Sequence, residues 1–283
     1  MSAPLAVTGS TGNLGGRIAR LLSAAGVEQR LVVRDPSRAP SLPGTSVARA
    51  IYGHFADARA ALEGCSVALM VSGSESATRV DEHRTFVDAA AAAGVQHLVY
   101  ISFYGAAVDA TFTLARDHFD TEEHIKTSGM RWTFLRDNLY LDFFPLLAGD
   151  DGVIRGPAGD GRVAAVAQDD IASCAEVVLR DPDAHLGRTY SLTGPVAMTL
   201  SEAAAQMSDS LSRTVTFHDE TIDEAYESRV GYGAPDWQVD AWVSTYTAIA
   251  SGELASVTDD VQQLTGRPPR SLEQLLIGQS TQA

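Results

Sequence analysis

Gly9, Gly12 and Gly15 recur at every third position within the stretch Leu5-Ala-Val-Thr-Gly-Ser-Thr-Gly-Asn-Leu-Gly-Gly-Arg-Ile-Ala-Arg-Leu-Leu22. The apolar run from Leu5 to Val7 reads as a buried strand, and Leu14, Ile18, Leu21 and Leu22 follow with helical spacing. The glycines therefore fall where strand becomes helix. There the first permits a tight turn, the second lets backbone approach a pyrophosphate, and the third lets the helix pack on the strand. The helix then turns its free N–H groups and the positive end of its dipole toward that phosphate. Dinucleotide binding is the chemistry this spacing predicts.

Further along, Arg34 and Asp35 end a second apolar run, Gln29 to Val33. In a dinucleotide site this strand end faces the adenosine ribose. An acid there hydrogen-bonds the ribose hydroxyls and repels a 2′-phosphate, whereas an arginine accepts the phosphate and stacks on adenine. Arg34 comes first and favours NADPH; Asp35 leaves NADH open. Ser37, Arg38 and Arg17 either add phosphate contacts or form a solvated surface. Small residues at Ser72-Gly73-Ser74, after the strand Val67 to Val71, let a cofactor phosphate and ribose pass close by.

Reduction of a carbonyl beside a nicotinamide ordinarily uses a Tyr-x-x-x-Lys pair on one helix face, the lysine lowering the phenol pKa. This chain excludes the pair: its single lysine is Lys126, and four residues before it stands Glu122. The helix face carries His118 instead, one turn before Glu122. Either His118 donates a hydrogen bond or proton to an acceptor, oriented by Glu122, or the two form a polar pair on the helix surface. Ser102 and Tyr104, past another strand end, line the nicotinamide pocket or serve core and loop. Asn138 and Tyr140 follow the next strand end, placed to hold the carboxamide or the substrate. His83 reads as structural. The other histidines show no metal-ligand clustering, and no serine lies in a nucleophile elbow.

These residues need a scaffold of alternating strands and helices. Strands are expected at 46–50, 67–71, 97–102 and 132–135, with helices at 56–62, 79–93 and 113–128, the rhythm of a doubly wound parallel sheet. Beyond residue 140 the rhythm loosens. Helices are expected at 138–147, 169–179, 200–211, 222–230 and 236–251, with short strands at 153–155, 189–192 and 215–217. The fold class is α/β: a Rossmann-type doubly wound parallel sheet over 1–137, with a smaller α/β substrate-covering region over 138–283. Part of 164–193 is expected to return to the main sheet.

At 283 residues the chain can bury about three quarters of its unfolded surface. A formal charge of −15 argues against a nucleic-acid surface. The first strand starts near residue 4, which leaves no room for a signal peptide, and no apolar stretch reaches membrane-spanning length. Cytoplasmic location is the expectation, with Cys65 and Cys174 as small buried thiols.

With these residues assembled, the chain resembles the NmrA-like family, an atypical branch of the short-chain dehydrogenase/reductases. The resemblance rests on VTGSTGNLG (7–15), VVRDP (32–36), LMVSGSE (69–75), HRTFVDAAAAAGVQHLVYIS (83–102), HFDTEEHIKTSG (118–129), TFLRDNLY (133–140) and TGRPPRSL (265–272). It is most similar to the bacterial NAD(P)H:quinone oxidoreductase members, which likewise carry histidine where the dyad lysine would stand. The resemblance implies an NADPH-binding Rossmann domain, a small C-terminal domain and a small acceptor such as a quinone. It carries over Gly9, Thr11, Gly12, Asn13, Leu14, Gly15 and Arg34 as cofactor contacts, followed by Ser72, Gly73, Ser74, Ser102, Tyr104 and Asn138. Where Asp35 stands, other members often have Asn. It also implies a second function: a cofactor-sensing regulator that binds a protein partner without turnover. The acidic surface would suit a basic protein partner. A homo-oligomer is the remaining partner expectation.

Overall fold

Leu5 to Thr8 form an interior strand of a seven-stranded sheet in the computed structural model, which describes residues 4–280. The chain opens with β1 (Leu5–Thr8), α1 (Asn13–Ala24), β2 (Gln29–Val33), β3 (Thr45–Arg49), α2 (Phe55–Leu62), β4 (Val67–Val71) and α3 (Arg79–Ala92). It continues with β5 (His97–Phe103), α4 (Thr113–Thr127), β6 (Arg131–Asp137), α5 (Phe144–Leu147), β7 (Val153–Gly156), β8 (Arg162–Val163) and α6 (Gln168–Arg180). Then come β9 (Arg188–Leu192), β10 (Met198–Thr199), α7 (Leu200–Leu211) and β11 (Thr216–Asp219). The last helices are α8 (Ile222–Arg229), α9 (Asp236–Ala250), α10 (Asp260–Thr265) and α11 (Leu272–Ser280).

The sheet order is β3-β2-β1-β4-β5-β6-β9. Val7 lies beside Leu31 on one flank and Leu69 on the other, and Leu69 beside Val99, all in parallel register. Burial on both faces explains why β5 is enclosed at all seven residues and reads as an almost unbroken apolar run. Phe86, Tyr100, Phe134, Leu62 and Leu98, all fully buried, form the core between the sheet and the helices α2 and α3. Each such side chain contributes about 1.5–3 kcal/mol by leaving water. The strand order reverses between β1 and β4, so the loops leaving these two strands open the crevice where ligands bind in such sheets.

The chain divides into two compact units. The first comprises 1–103, 117–136 and 171–190; the second comprises 104–116, 137–170 and 191–283. Within the second, β8 pairs with β10 antiparallel and β7 with β11 in parallel. Helices α7 and α8 each begin with a reciprocal cap, Thr199 with Glu202 and Thr221 with Glu224. Gly156 leaves room for the Tyr246 ring, since a Cβ there would lie 2.2 Å from Tyr246 Cδ1.

One expected helix is much shorter. Of 138–147, only Phe144–Leu147 is α-helical, preceded by a single 3₁₀ turn at Leu141–Phe143. Asn138 to Tyr140 stay outside the helix because Asn138 N–H donates to Leu192 O and Tyr140 bridges Val166 in parallel. Pro145 lies in the helix's first turn, the position where its missing N–H costs nothing. Helices α10 and α11 and the two-residue strands β8 and β10 carry too little periodicity to be read from sequence. No helix among the described residues is long and apolar enough to cross a membrane.

Candidate functional site

The turn after β1 is built by contacts that only glycine allows. Gly9 adopts φ +68°, and a Cβ there would lie 2.9 Å from Val71 Cβ at the end of β4. A Cβ on Gly15 would fall 2.3 Å from Gly9 O, so α1 rests directly on the turn. Gly12, the N-cap of α1, is different: a Cβ there would meet only Gly9 O, at 3.4 Å. Packing does not demand glycine at 12, whereas a ligand lying against the backbone would. Asn13, Leu14 and Gly15 occupy the first turn of α1, whose N–H groups have no partner within the helix, and no acidic residue stands there. Ser10 Oγ is buried without a hydrogen-bond partner in this turn, and Thr11 is half-buried beside it. An anion-binding cradle with a spare hydroxyl fits a diphosphate.

Arg34 lies one residue past β2, exposed and without an ion pair among the described residues. Asp35 does not compete for it. Its carboxylate caps the turn Pro36–Arg38, accepting from Ser37 N at 3.0 Å and Ser37 Oγ at 2.7 Å. The Ser37 hydroxyl and amide hold its pKa below the usual carboxylate value, with Arg38 adding to the shift. Ser37 is thereby occupied, and Arg34 is the open guanidinium at the strand end.

Below the crevice, Thr8, Tyr52 and Val71 form a tight set. Val71 N–H donates to Thr8 Oγ1 at 2.9 Å, and the Tyr52 hydroxyl donates to Val71 O at 2.6 Å. The loop that follows, Ser72 to Ser74, is clamped through Gly73. Gly73 N–H donates to His83 Nε2 at 2.8 Å, and Arg79 Nε donates to Gly73 O at 3.1 Å. His83 must then carry its proton on Nδ1, which reaches Thr121 Oγ1 at 2.9 Å. Burial, with Arg79 nearby, lowers the His83 pKa to about 3. Sequence reading left His83 as structural and missed Arg79; their signal was an Arg and a His four residues apart at the start of the helix after a small-residue loop.

The structure corrects the reading of His118 with Glu122. His118 is 6% exposed; its Nε2 takes an N–H from Arg79 Nη2 at 2.8 Å, and its Nδ1 meets the Tyr100 hydroxyl at 3.0 Å. Because Arg79 can only donate, Nε2 accepts and Nδ1 bears the hydrogen. Burial first, then Arg79, depresses its pKa well below the ordinary imidazole value. Glu122 orients nothing on His118 and is no surface residue. It is fully buried, paired with Arg136 at 2.8 and 2.6 Å, and accepts from Ser102 Oγ at 2.6 Å. The hydrogen of the Ser102 hydroxyl is therefore engaged by Glu122. Both corrections have one cause: four-residue spacing fixes neighbours along a helix but not what the packed sheet offers to each.

In the second unit, Tyr104 is half-buried and tied to β6 by its N–H, which donates to Asp137 O at 2.8 Å. Asn138 is fully buried; its Nδ2 donates to Leu254 O at 3.0 Å and its Oδ1 accepts from Leu139 N at 2.8 Å. Its amide latches the loop after β6. Sequence reading also passed over Asp137. It is 3% exposed, and its Oδ2 lies 2.8 Å from the Tyr140 hydroxyl. Burial pushes its pKa well above the usual carboxylate value against that hydrogen bond.

A family model described as NAD(P)H-binding matches residues 9–182. Quinone oxidoreductase 2 of Escherichia coli (strain K12) is 31% identical over 275 residues, covering 95% of this chain and 96% of that one. The NAD(P)H azoreductase of Xenophilus azovorans is 31% identical over 271 residues, 94% of each chain. The crystal structure of the NADPH-dependent quinone oxidoreductase QOR2 from Escherichia coli, complexed with NADPH, superposes with a TM-score of 0.89 at 30% identity, covering 98% of this chain and 99% of that one. With its seven-stranded Rossmann sheet and glycine turn, the chain belongs to the NAD(P)H-binding family.

Proposed function

We propose that this protein is an NADPH-dependent oxidoreductase that passes hydride to a quinone or a similar small conjugated acceptor. The observation that carries it is the turn after β1: Gly15 is locked against Gly9 O, Gly12 is open, and Arg34 stands unpaired at the end of β2. The relatives named for quinone and azo reduction act on conjugated acceptors, which supports the same class here.

NADPH, when bound, supplies the hydride. The N–H groups of Asn13, Leu14 and Gly15 hold its diphosphate with the dipole of α1, and Ser10 Oγ adds a donor. Arg34 takes the 2′-phosphate, a contact that Asp35 does not oppose because it is bonded to Ser37. Ser72, Gly73 and Ser74 form the opposite wall, with Gly73 fixed by His83 and Arg79. The single lysine cannot activate a phenol: Lys126 pairs with Glu123 at 2.6 Å and lies over Trp132 and Phe134. A quinone is easily reduced, so orientation suffices where a saturated carbonyl would need a strong acid. The acceptor is in this reading the molecule's small-molecule partner.

The test is anaerobic NADPH oxidation against a panel of quinones and azo compounds. Turnover with several of them is expected. Tight NADP(H) binding with no turnover of any would overturn the reductase reading and favour a cofactor sensor acting on a protein partner.

A further inference from the structure

The chain leaving β4 is held at two residues by side chains from elsewhere in the first unit. Val71 is bonded by Thr8 and Tyr52; Gly73 is bonded by His83 at its N–H and by Arg79 at its C=O. His83 and Arg79 are buried in α3, whereas Ser72 and Gly73 are half-buried and Ser74 is exposed. Each of the two α3 side chains is itself aimed from α4. Thr121 donates its hydroxyl hydrogen to Asp117 O at 2.7 Å, so its oxygen accepts from His83 Nδ1–H and leaves Nε2 as the acceptor for Gly73. Arg79 divides its donors: Nε serves Gly73 O, Nη1 serves Asp117 Oδ2 at 3.2 Å, and Nη2 serves His118 Nε2. A Cβ on Gly73 would lie 3.2 Å from His83 Nε2, so the ring rests against bare backbone. Burying an arginine and a histidine costs desolvation that apolar residues would avoid. What the polar pair provides instead is direction, a donor and an acceptor fixed on one residue of a short loop.

We infer that Arg79 and His83 are positioning residues for the cofactor: they fix Gly73 before NADPH arrives, so that the Ser72–Ser74 loop meets the dinucleotide already ordered. The inference rests on the reading of that loop as a cofactor wall. Both residues act through Gly73 and neither touches the cofactor. Three small residues have little packing of their own, and a loop left loose would have to be ordered as the cofactor binds, which weakens affinity. The same bonds give the α4 face a task. Asp117, His118 and Thr121 stand on the helix where a reductase acid was sought, and they orient Arg79 and His83 instead.

NADPH dissociation constants, read by fluorescence titration at a temperature where the protein is folded, test the clamp. His83→Leu removes the acceptor for Gly73 N–H and should raise the constant about tenfold, the scale of one hydrogen bond. His83→Gln supplies a side-chain oxygen in its place and should stay within about threefold of the parent. Arg79→Met should raise the constant at least about tenfold, and the His83 pair decides the matter even where Arg79→Met does not fold. Phe134→Leu, in the core of the same unit, should lower the melting temperature yet leave the constant within about twofold. Parental affinity in His83→Leu would overturn the inference, as would an equal loss in His83→Gln, and either result leaves the cofactor reading standing. A parent protein that binds no NADPH would overturn the cofactor reading and the inference with it.

Discussion

Glu122 and Arg136 close a two-pronged ion pair, Nε to Oε1 at 2.8 Å and Nη2 to Oε2 at 2.6 Å, with the carboxylate fully buried. It joins α4 to β6, and Ser102 joins it to β5. Removing one partner of a buried pair costs about 3–5 kcal/mol, and Arg136 is partly solvated, so Glu122→Ala should cost about 3 kcal/mol. Ser102→Ala removes one hydrogen bond to a charged group and should cost about 1.5–3 kcal/mol. Urea unfolding measures both; a Ser102→Ala protein of parental stability but lost turnover would restore Ser102 to the reacting centre.

The glycine turn separates two kinds of glycine. Gly12→Val should abolish NADPH binding and leave thermal unfolding within a few degrees of the parent, because its Cβ meets only Gly9 O at 3.4 Å. Gly15→Val should unfold the protein or cost at least about 3 kcal/mol, since nothing near it can move. Calorimetry with a fluorescence titration of NADPH distinguishes them.

Arg34→Ala should raise the NADPH dissociation constant about 10- to 100-fold, the range of about 1.5–3 kcal/mol for hydrogen bonds to a charged group. The NADH constant should change by less than about threefold. Equal losses for both cofactors would show that Arg34 does not meet the 2′-phosphate.

Neutral buried histidines make the protein acid-sensitive. His83 has its pKa lowered to about 3 and His97 to about 4, both chiefly by burial, while the unfolded chain protonates near 6.5. The unfolded state therefore binds more protons below pH 6.5. Stability should fall as pH drops from about 6.5 toward 3, on the order of several kcal/mol in total. His83→Gln keeps an acceptor for Gly73 N–H and removes the titration. It should flatten the slope of unfolding free energy against pH over that window; an unchanged slope would refute the assignment.

A general acid contributes about 10²- to 10⁴-fold to rate. His118, neutral and sealed by Arg79 and Tyr100, should not behave as one. His118→Ala should lower stability by a few kcal/mol but reduce kcat per folded molecule less than about tenfold. A loss of a hundredfold, with a pH limb near neutrality that disappears in the variant, would return the proton to His118.

The sequence alone determined the β1–turn–α1 unit, Arg34 at the end of β2, the small-residue loop after β4 and the absence of the Tyr-Lys dyad. These are local matters. Strand, turn and helix follow from neighbours a few residues apart, and a missing lysine is visible without any structure. Tertiary structure decided the partners of the buried polar groups. Arg79 reaches His118 across 39 residues of chain, Ser102 reaches Glu122 across 20, and Asn138 reaches Leu254 across 116. Asp137 carries no signal of its own in sequence; only the fold shows that its carboxyl is enclosed against the Tyr140 hydroxyl. Desolvation and hydrogen-bond pairing arise from which elements pack together, and at those separations no spacing in the chain encodes the match.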